Sequence, residues 1–206
     1  RGGLRGARSV RGALVAAVIG LVGTVAGGEA RAQKVLDSTQ IDVQQFKPGA
    51  GFTDLLTLHG AGVSPHLSWR LGVWGNYASN PLVLENAQGQ TVFHIIGSQT
   101  TFDVVGALSL WNRLEVAAAL PVFTYQTSEN APQVSPKLAS GVASTGIGDL
   151  RLVPKVNILD ASGFRLGLSV TLVLPTGDSS AFLSSGFNVQ PRLLGDYTFG
   201  SSKVRL

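Results

Sequence analysis

The residue types that carry out most enzymatic chemistry are scarce in this chain, and their spacing matches no common motif. The 206 residues include no cysteine, which excludes thiol catalysis and cysteine-ligated zinc or iron–sulfur sites. The three histidines lie too far apart for a short metal-ligand motif: His59, His66 and His94. No Gly-x-Ser-x-Gly sequence is present, so the nucleophile turn of the α/β-hydrolases is missing. We therefore predict no metal site and no cofactor.

Two further features resemble functional sites without meeting their requirements. Gly146-Ile147-Gly148-Asp149 is glycine-rich, but it lacks the third spaced glycine and the Lys-Ser/Thr pair of a phosphate-binding loop. Asp149 and Asp178 could pair as a general acid and base. Both lie at loop ends, where exposed carboxylates and weak Ca²⁺ ligands are commoner than catalytic groups. We predict no catalytic residue, and hence that the protein is not an enzyme.

The elements that position the remaining polar residues are predicted to be strands, because the side chains alternate with a period of two. Every second residue from Phe164 to Leu174 is apolar, and the residues between them are mostly small or polar. Similar alternation occurs in five other segments: 66–77, 100–110, 114–123, 149–158 and 187–199. Pro154 and Pro191 lie inside two of these segments, so we expect a bulge or a missing ladder bond at each.

Short and long connections alternate between the predicted strands. Tight turns are expected at 111–113, 160–163 and 200–202, and longer loops rich in Ser, Thr, Gly, Asn and Pro at about 78–98, 125–146 and 176–186. Transmembrane barrels have this arrangement, with short periplasmic turns and long outer loops. A soluble β-sandwich also alternates apolar and polar faces. The low charged fraction of 14% and segments of about ten residues favour the barrel.

The fold class predicted from these patterns is all-β: an antiparallel up-and-down transmembrane β-barrel, incomplete in this chain and preceded by a signal-peptide helix. Residues 1–32 have a basic start, an apolar stretch and a small-residue cleavage site, so we expect a signal peptide cut before Gln33 and export to the outer membrane of a Gram-negative bacterium. Residues 33–65 are interpreted as a periplasmic lead-in or plug, in which 52–58 could still pair as a strand. Residues 66–206 form the partial barrel, which we expect to continue beyond the chain.

The charge distribution excludes one class of partner. Five of the 16 basic residues but only one of the 12 acidic residues lie in the first 32 positions, which leaves eleven of each in the remainder. A neutral remainder lacks the clustered Lys and Arg of a nucleic-acid-binding surface. We therefore expect outer-membrane lipid as a partner and no nucleic acid.

Nine charged residues fall on the polar faces of the predicted strands, where the alternation directs them into the lumen. They are Arg70, Asp103, Glu115, Asp149, Arg151, Lys155, Arg165, Arg192 and Asp196. Charges facing lipid would be costly. Their near balance allows either a paired, filled interior or a weakly selective pore.

Several segments resemble the N-terminal barrel region of OmpA-family outer-membrane proteins of the myxobacterial type. The likeness spans roughly residues 45–200 and is carried by four stretches: 45–48, 76–84, 146–155 and 174–178. The resemblance implies an outer-membrane barrel, and in such proteins a periplasmic peptidoglycan-binding domain often follows. Peptidoglycan is thus a partner only through a domain absent from this chain, and no residue here inherits that role. The chain also lacks the terminal aromatic residue that typically closes such barrels.

The function expected from the sequence is that of a non-enzymatic outer-membrane β-barrel protein with a structural role in the envelope. A passive porin-like channel for small or hydrophobic solutes is the first alternative. A secreted soluble β-sandwich protein is the second.

Overall fold

The computed structural model describes residues 41–130 and 140–198, and the described part is built almost entirely of strands. A 3-10 turn at Ser179–Ala181 is the only helical element in these ranges. The seven strands are β1 Trp69–Glu85, β2 Thr91–Leu110, β3 Leu114–Thr127, β4 Gly146–Ile147, β5 Leu150–Ala161, β6 Phe164–Leu174 and β7 Asn188–Tyr197. The predicted signal-peptide helix lies outside the described residues. No helix in the described ranges has the length and apolar character needed to cross a membrane.

All described strands belong to one antiparallel sheet. Its order is β1-β2-β3-β5-β6-β7, so each strand of this path pairs with its neighbour in sequence, and the two-residue strand β4 pairs with β3. The sheet is curled into a half-barrel. The predicted all-β, antiparallel up-and-down fold is therefore confirmed, and the described strands do not form the two facing sheets of a sandwich.

The bounds of the strands agree with the sequence pattern except in the first hairpin. A long loop was predicted at 78–98, but β1 and β2 continue to Glu85 and Thr91. The side chain of Asn86 accepts hydrogen bonds from the N–H groups of Gln88 and Gln90 and so closes a tight turn. Register shifts after Ser79 and a positive φ of 51° at Asn80 break the alternation there. The sequence pattern therefore does not indicate that the strand continues.

Backbone geometry explains the turn between β5 and β6 and the pairing at Pro154. Ser162 and Gly163 both have positive φ, as a two-residue type I′ hairpin turn requires. The pairing of β5 with β6 skips Val153 and Pro154 without changing register, so the ladder is interrupted there as expected. At Pro191 no bulge forms, because β7 pairs with β6 through that position in unbroken register.

The two faces of the sheet have opposite polarity, and we call the face that contacts residues 41–62 the inner face. Polar and charged side chains on it are buried, including Asp103, Glu115 and Lys155. The outer face exposes large apolar side chains on several strands: Trp69, Leu71, Val73, Tyr77, Phe102, Val104, Leu108, Val116, Leu193 and Tyr197. The inner face also buries apolar residues such as Val105 and Phe123. The sheet differs from that of a typical soluble protein because charged side chains are buried on one face while large apolar side chains are exposed on the other.

Residues 41–62, which we call the inner segment, lie across the inner face without forming a strand of the sheet. Residues 52–58 contain only a tight turn with an isolated bridge between Leu55 and Leu58, so the possible extra strand is not formed. Ala50 packs against small inner-face residues of β2, β3 and β5, namely Val105, Ala107, Ala117, Ala119 and Val153. Their small size leaves room for the inner segment to approach the sheet.

Candidate functional site

The inner segment is held to the sheet by buried charged groups, and Lys155 on β5 lies at the centre of them. Its Nζ is 2.9 Å from Glu115 Oε1 on β3 and 3.7 Å from Asp54 Oδ1 on the inner segment. The same nitrogen donates to Thr53 Oγ1 and to the Gly60 carbonyl. The three charged side chains are 1–4% exposed. Lys155 therefore joins two strands and two points of the inner segment in one contact set.

Asp54 organises the turn of the inner segment that faces Lys155. Its carboxylate accepts hydrogen bonds from the N–H groups of Gly51 and Gly60 and lies 3.0 Å from His59 Nδ1. Burial raises the pKa of Asp54, but the hydrogen bond to His59, the charge of Lys155 and the Gly51 N–H together outweigh it and hold that pKa below its usual range. Asp54 is therefore ionised at neutral pH.

A second contact set lies around Asp103 on β2. Gln44 Nε2 of the inner segment donates to both carboxylate oxygens at 2.9 and 2.7 Å. Arg151 on β5 donates to the same carboxylate from Nη2 at 2.9 Å. Asp103 has no exposed surface, so its charge depends on these two donors. The set connects β2, β5 and the first residues of the inner segment.

The inner segment is also held through its backbone groups, which form hydrogen bonds with side chains of the sheet. Asp196 on β7 accepts from the Ala61 N–H at 2.9 Å, and Asn157 on β5 donates to the Ala61 carbonyl at 3.1 Å. Arg70 on β1 donates to the carbonyl of Gly51 at 2.9 Å. In the described contacts, every strand of the main sheet path except β6 thus contributes a side chain that hydrogen-bonds the inner segment.

Of the nine charged residues singled out in the sequence, five form hydrogen bonds with the inner segment: Arg70, Asp103, Glu115, Lys155 and Asp196. The other four are placed differently. Arg151 reaches the segment through Asp103, and Arg192 bonds Thr171 and Gln190 on neighbouring positions of the sheet. Arg165 pairs with the exposed Asp160 at 3.4 Å, and its side chain lies beside Gly62 at the end of the inner segment. Asp149 accepts from the N–H groups of Gly177 and Ser185 and holds the loop between β6 and β7.

The sequence pattern missed the partners on the inner segment. Gln44, Asp54 and His59 belong to a stretch with no strand or helix periodicity, so nothing directed them to the inner face. The one usable signal is the spacing of Asp54 and His59 between glycines, which is typical of a tight turn with a side-chain hydrogen bond to its backbone.

A cavity of about 250 Å³ lies between the inner segment and the inner face of β3, β5, β6 and β7. Its polar lining includes Lys47, His59, Arg151 and Arg192. The His59–Asp54 pair resembles the base and orienting acid of a hydrolase, but within the described ranges no hydroxyl is hydrogen-bonded to His59 as a nucleophile would be. The described residues also contain no group of three or more potential metal ligands.

Comparison with known proteins finds no match among family models, curated proteins or solved structures. The resemblance to OmpA-family barrels therefore stays a prediction.

Proposed function

We propose that the protein is a non-enzymatic β-barrel protein of the bacterial outer membrane with a structural role in the cell envelope. The observation that carries this proposal is that charged side chains are buried on one face of the sheet while large apolar side chains are exposed on the other. Trp69, Leu71 and Val73 on β1 are 62–75% exposed on the outer face. Asp103 and Glu115 on the inner face are at most 1% exposed.

The apolar outer face matches a lipid environment better than water. Apolar side chains recur on β1, β2, β3 and β7, so the exposed patch crosses the sheet rather than occupying one corner. Contiguous apolar patches on soluble monomers rarely exceed a few hundred Å² and mark contact surfaces. Barrels of the outer membrane have an outward apolar band and a polar interior built by the same alternation. The outer face is therefore assigned to lipid.

The filled inner face favours a structural role over an open pore. The inner segment covers the buried charges of β2, β3 and β5, and Asp103 and Glu115 each have a cationic partner within the protein. A wide channel would instead present such charges to a water-filled lumen. A stable, high ionic conductance in planar bilayers would support the porin-like channel in place of this role.

The lipid assignment is tested with Val104→Arg in the protein expressed from its complete gene and folded into lipid vesicles. Val104 pairs with Val73 and Leu120 on the neighbouring strands and is 40% exposed on the outer face. An arginine facing hydrocarbon near the bilayer centre costs about 2–4 kcal/mol of folding free energy. A surface arginine in water changes stability by about 0.5 kcal/mol or less.

The matched control is Gln88→Arg, which places the same charge in the exposed turn between β1 and β2. Urea-dependent folding, followed by the shift of the folded band in gel electrophoresis, gives both free energies. If the two variants are equally stable, the outer face does not contact lipid.

A further inference from the structure

We propose that the cavity between the inner segment and strands β5, β6 and β7 binds a small organic monocarboxylate, whose carboxylate is held by Arg151 and Arg192. The cavity has a volume of about 250 Å³. That is slightly below the roughly 300–1,000 Å³ of pockets for drug-sized ligands, and it suits a short-chain acid. This inference does not depend on the location of the protein.

The two guanidinium groups differ in their anionic partners, and Arg192 has none among the described residues. Arg192 donates to Thr171 and Gln190, both neutral, and no carboxylate of the described residues lies within ion-pair distance of it. Arg151 has one ion pair, with Asp103, while its Nε is buried without a hydrogen-bond partner. The half-buried Arg192, which lines the cavity, is therefore the cation that a bound anion would pair with first.

The positions of the two arginines also favour an anionic ligand. They lie close enough for their positive charges to repel each other, and both line the same cavity. A carboxylate between two guanidinium groups would relieve the repulsion and accept paired hydrogen bonds from their planar N–H groups. Lys47 and His59 on the inner segment face the same space.

The two acidic residues of the lining are already occupied. Asp42 pairs with Lys47 at 2.8 Å and accepts from the Gln44 N–H. Asp149 accepts from the backbone of the loop between β6 and β7. Neither carboxylate hydrogen-bonds Arg151 or Arg192 in the described contacts, although Asp42 lies near enough to Arg151 to attract its charge. Arg192 is therefore the guanidinium group that is left to a ligand.

The remaining walls favour an organic acid over an inorganic anion. Pro48 and Ala50 on the inner segment and Ala119, Val153 and Val173 on the sheet are apolar. Such walls would cover a short hydrocarbon tail, whereas phosphate would leave them unused.

The test uses isothermal titration calorimetry on the protein expressed from its complete gene and purified in detergent micelles. The probes are butyrate, the neutral isostere butyramide, and inorganic phosphate. We expect saturable binding of butyrate only. Arg192→Gln should weaken butyrate binding by roughly tenfold or more, since it removes a charged hydrogen-bond donor. Arg165→Gln is the matched control and should bind as wild type, because Arg165 lies outside the cavity lining.

A second variant tests the proposal if Arg192→Gln does not fold. Ala119→Leu extends into the apolar part of the cavity and leaves every charge in place, so it should also weaken butyrate binding. Equal binding of butyrate by wild type and both variants would overturn the proposal, as would equal binding of butyramide. Phosphate binding as tight as that of butyrate would overturn the assignment to an organic acid.

Discussion

Lys155 is the side chain whose loss should disturb the molecule most. Replacing it with Met leaves Glu115 and Asp54 as buried carboxylates without their cation. Breaking a buried ion pair by removing one partner costs about 3–5 kcal/mol, so Lys155→Met should lower the free energy of unfolding by that amount. Urea unfolding of the protein expressed from its complete gene measures it.

The control for this prediction is Arg165→Met, which removes a cation of similar size from the next strand. Arg165 is 29% exposed and pairs with Asp160, which is 60% exposed. Exposed pairs contribute about 0–1 kcal/mol. Equal losses for the two variants would show that the buried contacts of Lys155 do not stabilise the fold.

Because of Asp54, the contacts between the inner segment and the sheet should weaken at acid pH. The pKa of Asp54 is lower in the folded protein than the ordinary value of 3.8. Its ionised carboxylate therefore stabilises the folded state fully at a pH above the pKa of the unfolded chain. This stabilisation is lost as the pH falls from about 5 through the pKa of the folded state. Phe46 lies edge-on to Trp74 at 6.4 Å, so Trp74 fluorescence reports attachment in a Trp69→Phe, Trp111→Phe background.

In that background Asp54→Asn should show a weaker acid transition, with part of the stabilisation already missing at pH 7. A transition that is unchanged in Asp54→Asn would assign the acid sensitivity to other carboxyl groups.

Asp54 is a residue whose position in the contact set could not be predicted from the sequence. Alternation directed Glu115 and Lys155 to one face, but the residue that joins them comes from a segment without periodicity.

At the scale of elements, the sequence predicts strands well where alternation is unbroken and poorly where backbone irregularities interrupt it. Strand β6 has the predicted bounds, Phe164–Leu174, because each apolar residue is followed by a small or polar one. The first hairpin was missed beyond Ser79 because Asn80 and the register shifts beside it move the apolar residues off one face. Alternation also cannot show that small residues on an inner face serve to accommodate another part of the chain.

Gly167 on β6 is such a small residue, and Gly167→Ala should loosen the inner segment. A Cβ there would lie 3.1 Å from the Ala61 carbonyl oxygen and 3.2 Å from that of Val156. Both are backbone atoms that cannot rotate away, so overpacking should cost about 1–3 kcal/mol. The variant should make residues 41–62 more sensitive to protease.

Gly106→Ala on β2 is the control, because its Cβ would meet the nearest atom at 3.6 Å, an ordinary contact. Equal protease sensitivity of Gly106→Ala, Gly167→Ala and wild type would show that close approach at Gly167 does not hold the inner segment.

At the scale of the whole molecule, the sheet formed by residues 69–197 has two edge strands, β1 and β7. Among the described residues β1 pairs only with β2, and β7 only with β6. The sequence predicts a partial barrel, and within the described ranges residues 52–58 do not supply a further strand. Alternation and turn lengths identify neighbours along the chain. They do not identify what pairs with the first and last strand, because that contact is distant in sequence.

These edges lead to a prediction about insertion. Unpaired N–H and C=O groups find no partner in hydrocarbon, so a sheet with open edges should not remain in a bilayer. Residues 33–206 expressed alone should therefore give no heat-modifiable, protease-resistant species in lipid vesicles. The amides of β1 and β7 that face away from β2 and β6 should then exchange rapidly with deuterium. If residues 33–206 insert alone and those amides are protected, the two edges pair with each other or with a second copy, and six main strands suffice for a closed structure.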